Sequence, residues 1–259
     1  MSVASALRQK RNVMRAVILR DMRTRFFNHG MGFLVQSLWP LAHMLIIIGV
    51  STFTGRLAPY GDGPFIYFAA GLMPTLTFMY ISRFMTLSII LNKNMLSFPI
   101  VKVTDILFAR AFLEIVAGFI TLFFLWLIFV LFGLNPYPAD PIQAVLAYLA
   151  TILLAIGIGT IVGVITSFWP IFATAYALMG IVIYISSGAV FVTANLPDQV
   201  AIPLSYNPVV QCVEWMRSAY FEAYSDRLLD RGYLLAFGLG ALFIGLIAER
   251  LSRRVLMDS

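Results

Sequence analysis

Six apolar stretches, each long enough to cross a bilayer, constrain this 259-residue chain more than any other feature. Crossing the hydrocarbon takes about 20 predominantly apolar residues in a helix. Residues 31–53, 65–91, 106–132, 142–168, 171–192 and 233–248 meet that requirement. Backbone polar groups surrounded by lipid must be satisfied within the chain, so the expected fold class is an all-α integral membrane protein with six transmembrane helices. Composition agrees: 12% of residues are charged against about 25% in an ordinary soluble domain. A lone cysteine, Cys212, excludes an internal disulfide or a cysteine-rich metal site. His43 lies in the first stretch near Pro40, and the only other histidine, His29, is not at metal-ligand spacing, so no metal is expected.

Ahead of the first stretch, Arg8, Lys10, Arg11, Arg15, Arg20, Arg23 and Arg25 stand against one acid, Asp21. Leu7, Met14, Val17, Ile18, Met22 and Phe26 recur among them at roughly helical spacing. That pattern predicts a basic amphipathic helix on the membrane surface. No apolar core follows at signal-peptide distance, so nothing here reads as a cleaved leader. The organisation is therefore an interface helix over residues 1–30 and a six-span domain over 31–259. Basic residues accumulate on the cytosolic side of such domains. With the N-terminus in the cytosol, that side also receives Lys93, Lys102, Arg110, Arg250, Arg253 and Arg254. The other side receives Arg56, Arg217, Arg227 and Arg231 together with Asp62, Asp140, Asp198, Glu214, Glu222, Asp226 and Asp230. Both termini are then cytosolic.

Three connections stand out. Residues 92–110 form the longest polar interruption on the cytosolic side, with a loop over 92–105, where a soluble partner could push on the bundle. Ser167, Phe168, Trp169 and Pro170 make a tight hairpin between the fourth and fifth spans, because proline disfavours helix before it and suits a first helical turn. Trp169 is there either an interfacial anchor or a second contact for a cytosolic partner. Residues 193–231 are too polar to span but carry apolar runs. Asn207 followed by Pro208 is a helix-start pair, and Val209, Val213, Met216 and Tyr220 share one helical face. Two readings of this segment are open: two short helices dipping into the outer leaflet and returning, or a helix lying flat on the outer surface.

Ionisable residues within spans are expensive and mark function. Arg83 and Glu114 sit nine residues either side of the loop bounded by Asn92 and Asp105. They are expected at similar depth and are candidates to pair, with Arg110 a competing partner for Glu114 at the helical spacing of four. The alternative has Arg83 facing a pore. Gly159 and Gly163 form a small-xxx-small pair suited to close helix packing, within one chain rather than between copies. The sequence holds no Gly-x-x-x-x-Gly-Lys-Ser/Thr phosphate loop, no His-Glu-x-x-His and no carboxylate pair within the spans. The chain is expected to be non-catalytic, to bind no cofactor, and to take its energy from another polypeptide.

The run from Val17 through Arg20-Asp21-Met22-Arg23-Thr24-Arg25-Phe26, with Gly30-Met31-Gly32-Phe33 and Trp39-Pro40 after it, resembles the amphipathic entry of type 2 ABC exporter permeases. Asn94-Met95-Leu96-Ser97-Phe98-Pro99-Ile100-Val101-Lys102 resembles that family's coupling helix. Tyr206-Asn207-Pro208-Val209-Val210-Gln211 with Glu214-Trp215-Met216-Arg217 resembles its external re-entrant segment. The likeness runs through the whole chain and is narrowest to the membrane subunits that export capsular polysaccharide and O-antigen.

This resemblance implies a homodimer in the bacterial inner membrane, served by two copies of a cytosolic ATPase subunit that binds ATP and Mg. Its substrate would be a lipid-linked, acidic capsular polysaccharide passed on to periplasmic and outer-membrane export proteins, with no nucleic acid involved. An O-antigen or teichoic-acid-type glycan, or a small molecule carried by a narrower exporter, are the alternatives. Coupling residues would be Met95, Phe98, Pro99, Ile100, Lys102, Asp105 and Trp169. Phe98 and Ile100 suit burial against a partner, Pro99 stiffens the turn, Lys102 suits an acidic contact, and Thr104 or Asp105 can cap the third span. Arg83, Glu114, Tyr67, Tyr80, Tyr176 and Tyr184 are candidates for the substrate path. Asn207, Pro208, Glu214, Trp215 and Arg217 are candidates for an external gate.

Overall fold

The computed structural model describes residues 3–25, 30–55, 58–61 and 63–258. Phe26, His29, Arg56 and Asp62, and the side chains of Leu7, Arg25 and Arg254, lie outside the described residues. Eleven α-helices occur among those described: α1 (Val3–Arg25), α2 (Gly30–Phe53), α3 (Pro64–Thr86), α4 (Ser88–Leu91), α5 (Lys93–Leu96), α6 (Val103–Leu131), α7 (Pro141–Phe168), α8 (Phe172–Ser186), α9 (Asp198–Ser205), α10 (Pro208–Tyr220) and α11 (Arg231–Asp258), with one 3₁₀ turn over Thr193–Asn195. No strand is present among them.

Five of these helices, α2, α3, α6, α7 and α11, are long and apolar enough to cross a membrane. The stretch 171–192 departs from expectation. Its helix α8 has 15 residues, about 22 Å at 1.5 Å per residue, against roughly 30 Å of hydrocarbon. The cause is local. Ser187 Oγ donates to the Tyr184 carbonyl at 2.8 Å and accepts from the Ala189 N–H. Gly188 then takes a φ of 76°, the left-handed conformation that commonly ends helices. The second stretch also stops early, at Thr86. There the Ser82, Thr86 and Ser88 hydroxyls bond back to the carbonyls of Phe78, Ser82 and Met85, a competition that loosens a helix.

Helix α7 is the axis of the bundle, packed between α3 and α11. Glycines set that packing. A Cβ on Gly157 would lie 2.8 Å from the Leu242 nitrogen and 2.9 Å from the Gly238 oxygen, and one on Gly159 would lie 2.7 Å from the Met85 sulfur. On α11, Gly245 meets Thr160 just as closely. The small residues are thus used within one chain, α7 contacting α11 through Gly157 and α3 through Gly159 and Gly163. Small residues are how helices approach without a hydrophobic driving force between them.

Cross-helix contacts give the depth of each element. Tyr176 of α8 donates to Ser82 of α3, and eleven residues later Ser187 meets Thr75, so α8 runs antiparallel to α3 and ends well short of the Pro64 end. Helix α10 starts where α8 stops: Asn207 Nδ2 donates to Ser186 Oγ at 3.0 Å. It then climbs alongside α3 and α7. Arg217 lies over the Tyr67 ring, Trp215 Nε1 donates to Gln143 Oε1, and the Ala219 carbonyl accepts from the Asp140 N–H at the start of α7. Residues 209–217 of α10 are all buried. That stretch of α10 is therefore covered on every face, chiefly by α7 and α3.

Candidate functional site

At one end of the bundle the chain from α3 to α6 passes through α4, α5 and a turn over residues 97–102. Leu96, Val101 and Val103 are buried, whereas Phe98 is 59% and Ile100 50% exposed. The turn is tight, with the Val101 N–H donating to the Phe98 carbonyl at 2.9 Å. Pro99 and Lys102 are exposed and Met95 is partly buried. Apolar anchors on either side therefore hold two large apolar side chains outward. Helix α6 begins at Lys102 as its N-cap, and Asp105, rather than Thr104, supplies the capping carboxylate: its Oδ2 accepts the Lys102 N–H at 3.0 Å. Trp169, Pro170 and Ile171 are exposed at the same end.

Behind this segment is a buried polar cluster. Helix α1 reaches it twice, through an ion pair between Lys10 and Asp105 and through Asp21. Asp21 Oδ1 accepts from Asn92 Nδ2 at 3.0 Å, and its other oxygen lies 3.6 Å from Arg110 Nη1. Arg110 in turn pairs with Glu114 one turn along α6 and lies 4.6 Å over the Phe84 ring. The contest for Glu114 is met by Arg110. Both ends of the segment 92–105, Asn92 and Asp105, are bonded to α1. Asn92 and Asp21 were not singled out as site residues by the sequence; the sole acid in a basic helix was the available signal for Asp21.

Arg83 has a different setting. It is exposed, on the wall of an open recess of about 440 Å³ that it shares with Trp39, Ala42, His43, Ile46, Tyr80 and Phe84. Tyr184 adds its ring 5.6 Å from that of His43. Four aromatic side chains, a histidine and a permanent cation together suit a polar ligand with flat faces and negative charge. Tyr67 and Tyr176, by contrast, are buried within a single copy, Tyr176 donating to Ser82 Oγ at 2.8 Å.

At the opposite end, α10 carries a second buried polar group. Arg217 donates from Nη1 to the Phe191 carbonyl at 2.7 Å and from Nη2 to the Ala189 carbonyl at 2.6 Å. Its guanidinium stacks 4.2 Å from the centre of Tyr67. Glu214 Oε1 accepts from Thr193 and, at 2.8 Å, from the Tyr224 hydroxyl. Asn207 caps α10 by accepting the Val209 N–H at 3.0 Å, and Pro208 occupies its first turn. Gln211 ties the segment down, donating to the carbonyls of Ser205 and Leu228 and accepting from the Asp230 N–H. Of the five residues expected at an external gate, Glu214, Trp215 and Arg217 are buried on α10, while Asn207 and Pro208 form its partly buried start. No group of three or more metal-ligating side chains occurs among the described residues.

No protein-family model matches the chain. It is 31% identical over 245 residues to a polysialic acid transport protein, KpsM, of Escherichia coli, covering 94% of this chain and 95% of that one. It is 27% identical over 252 residues to the capsule polysaccharide export inner-membrane protein CtrC of Neisseria meningitidis serogroup A, covering 97% and 95%. Against BexB of Haemophilus influenzae, which carries the same description, identity is 25% over 236 residues, covering 91% and 89%. With full-length similarity at this level and a bundle of membrane-capable helices, the chain belongs to the capsular polysaccharide export family, the membrane-spanning subunits of type 2 ABC exporters.

Proposed function

We propose that this chain is the permease of an ATP-driven exporter that moves lipid-linked, acidic capsular polysaccharide across the bacterial inner membrane. Two copies form the pathway, and two copies of a cytosolic subunit bind ATP and Mg and hydrolyse it; this chain has no catalytic role. The observation that carries the reading is the outward presentation of Phe98 and Ile100 on a segment anchored by Leu96, Val101 and Val103 and bonded at both ends to α1. Exposed apolar side chains on a braced turn suit a groove on a soluble partner. Trp169 contributes a second exposed contact at the same end.

In this account that end, with both termini, is cytosolic, and the Asp140 end of α7 faces the periplasm, toward partner proteins that carry the glycan outward. Helix α8 with the link after it completes the sixth crossing, and α9 and α10 re-enter the outer half of the membrane. Non-helical backbone at that depth is tolerated only where protein covers it, and the burial of α10 and its side-chain bonds to residues 186–193 support that arrangement. Polysaccharide passes the recess of Trp39, His43, Tyr80, Arg83 and Tyr184, where Arg83 meets carboxylate or phosphate and the rings meet sugar faces.

Purification of the tagged chain from its host in mild detergent tests this reading. A co-purifying nucleotide-binding subunit with ATPase activity, and loss of surface glycan on deletion, are expected. A chain that purifies alone, or a deletion that alters drug susceptibility and leaves surface glycan intact, would contradict it.

A further inference from the structure

Between the end of α8 and the 3₁₀ turn, residues 187–192 form a link without regular structure, held by Arg217. Its side chain is wholly buried. Burying an arginine is costly, and a hydrophobic residue of similar volume is often as stable or more so. What the guanidinium supplies is two donors to the Ala189 and Phe191 carbonyls. Closeness is enforced from the other side by Gly71, where a Cβ would lie 2.5 Å from the Ala189 oxygen and 2.7 Å from Arg217 Nη2. The same place holds unused bonding capacity. Arg217 Nε, Glu214 Oε2 and the Tyr67 hydroxyl are buried and have no hydrogen-bond partner. Glu214 precedes Arg217 by three residues on α10, a spacing at which helical side chains are neighbours. Arg217 now uses the link carbonyls as acceptors, and a second acceptor, the free oxygen of Glu214, belongs to the residue three positions earlier on the same helix.

We propose that Arg217 is the latch of the outer gate: it holds residues 189–191 closed across the bundle and, when they move aside for the glycan, transfers its donors to Glu214 Oε2. The inference rests on the reading of α9 and α10 as an external gate. It gives that gate two discrete arrangements of one buried cation, each with acceptors for its donors. A buried charge released without an acceptor would make opening far more costly. Thr193 and Tyr224, both bonded to Glu214 Oε1, keep the carboxylate in place in either arrangement.

The test uses Val192→Cys, a buried position on the link, in a Cys212→Ser background, labelled in whole cells by a membrane-impermeant maleimide while export is switched on or off. In the otherwise unaltered chain, labelling is expected only during export. Arg217→Met, with Arg217→Lys as a milder variant that keeps the charge but not the two-pronged geometry, is expected to raise labelling without export about tenfold, as ~1.4 kcal/mol of lost closure would. Glu214→Gln retains an oxygen for Thr193 and Tyr224 and is expected to keep the link protected and to lower export at unchanged protein level. Opposite shifts in accessibility are not what loss of fold produces. Labelling of Val192→Cys that ignores export would remove the gate itself. Labelling that follows export, with both Arg217 and Glu214 variants shifting it alike or not at all, would leave a gate and remove the latch.

Discussion

Asn92 and Asp21, 71 residues apart in the sequence, are joined by a buried hydrogen bond of 3.0 Å. It fastens the outward-facing segment to a helix that lies outside the run of candidate spans. Asn92→Ala leaves that Asp21 oxygen without this donor, a loss of about 1–3 kcal/mol for a buried polar group. The thermal midpoint of the purified chain is expected to fall, and any ATPase stimulation in the assembled complex to fall further than stability alone accounts for. An unchanged midpoint would mean that α1 does not brace the segment.

Arg110 and Glu114 form a buried pair, whereas Arg83 is exposed in the recess. Removing one member of a buried pair costs about 3–5 kcal/mol. Arg110→Met is expected to lose most folded protein, and Arg110→Met with Glu114→Leu to recover much of it. Arg83→Ala is expected to leave folded yield intact and to reduce surface glycan. In the cycle of Arg83→Ala and Glu114→Ala the effects on folded yield should add; a coupling well beyond about 0.5 kcal/mol would restore a direct Arg83–Glu114 pair.

The glycines of the bundle make a contrast that folded yield can read. Gly157→Leu forces side-chain atoms into the α11 backbone 2.8 Å away and is expected to cost about 1–3 kcal/mol or more by overpacking. Gly240, on α11 itself, has nothing within 4 Å of a Cβ. Gly240→Ala should be neutral or stabilising by up to about 1 kcal/mol, the helix-propensity difference. Equal losses at both positions would place the α7–α11 seam elsewhere.

Most of this architecture was legible because long apolar runs and helix-start signals are local. The cap at Asn207 with the proline after it and the five long helices all follow from short-range chemistry. The early ends of α3 and α8 were not, since Thr86, Ser88, Ser187 and Gly188 sit inside runs apolar enough to average away their effect. Nor was the burial of Glu214 and Arg217, which count as polar in any window but find their partners in Thr193, Tyr224 and two carbonyls supplied by the fold. Asp105 was legible as a cap but not as the partner of Lys10, ninety-five positions earlier.

If Phe98 and Ile100 transmit ATP hydrolysis to the bundle, export depends on both, which is measured with Phe98→Ala, Ile100→Ala and doubly substituted chains at matched membrane abundance. Both side chains are exposed, so truncation should leave the fold and its thermal midpoint intact. Loss of surface glycan is expected, with ATP hydrolysis in the purified complex no longer responding to the membrane subunit. Export at the unaltered level from the doubly substituted chain would contradict it.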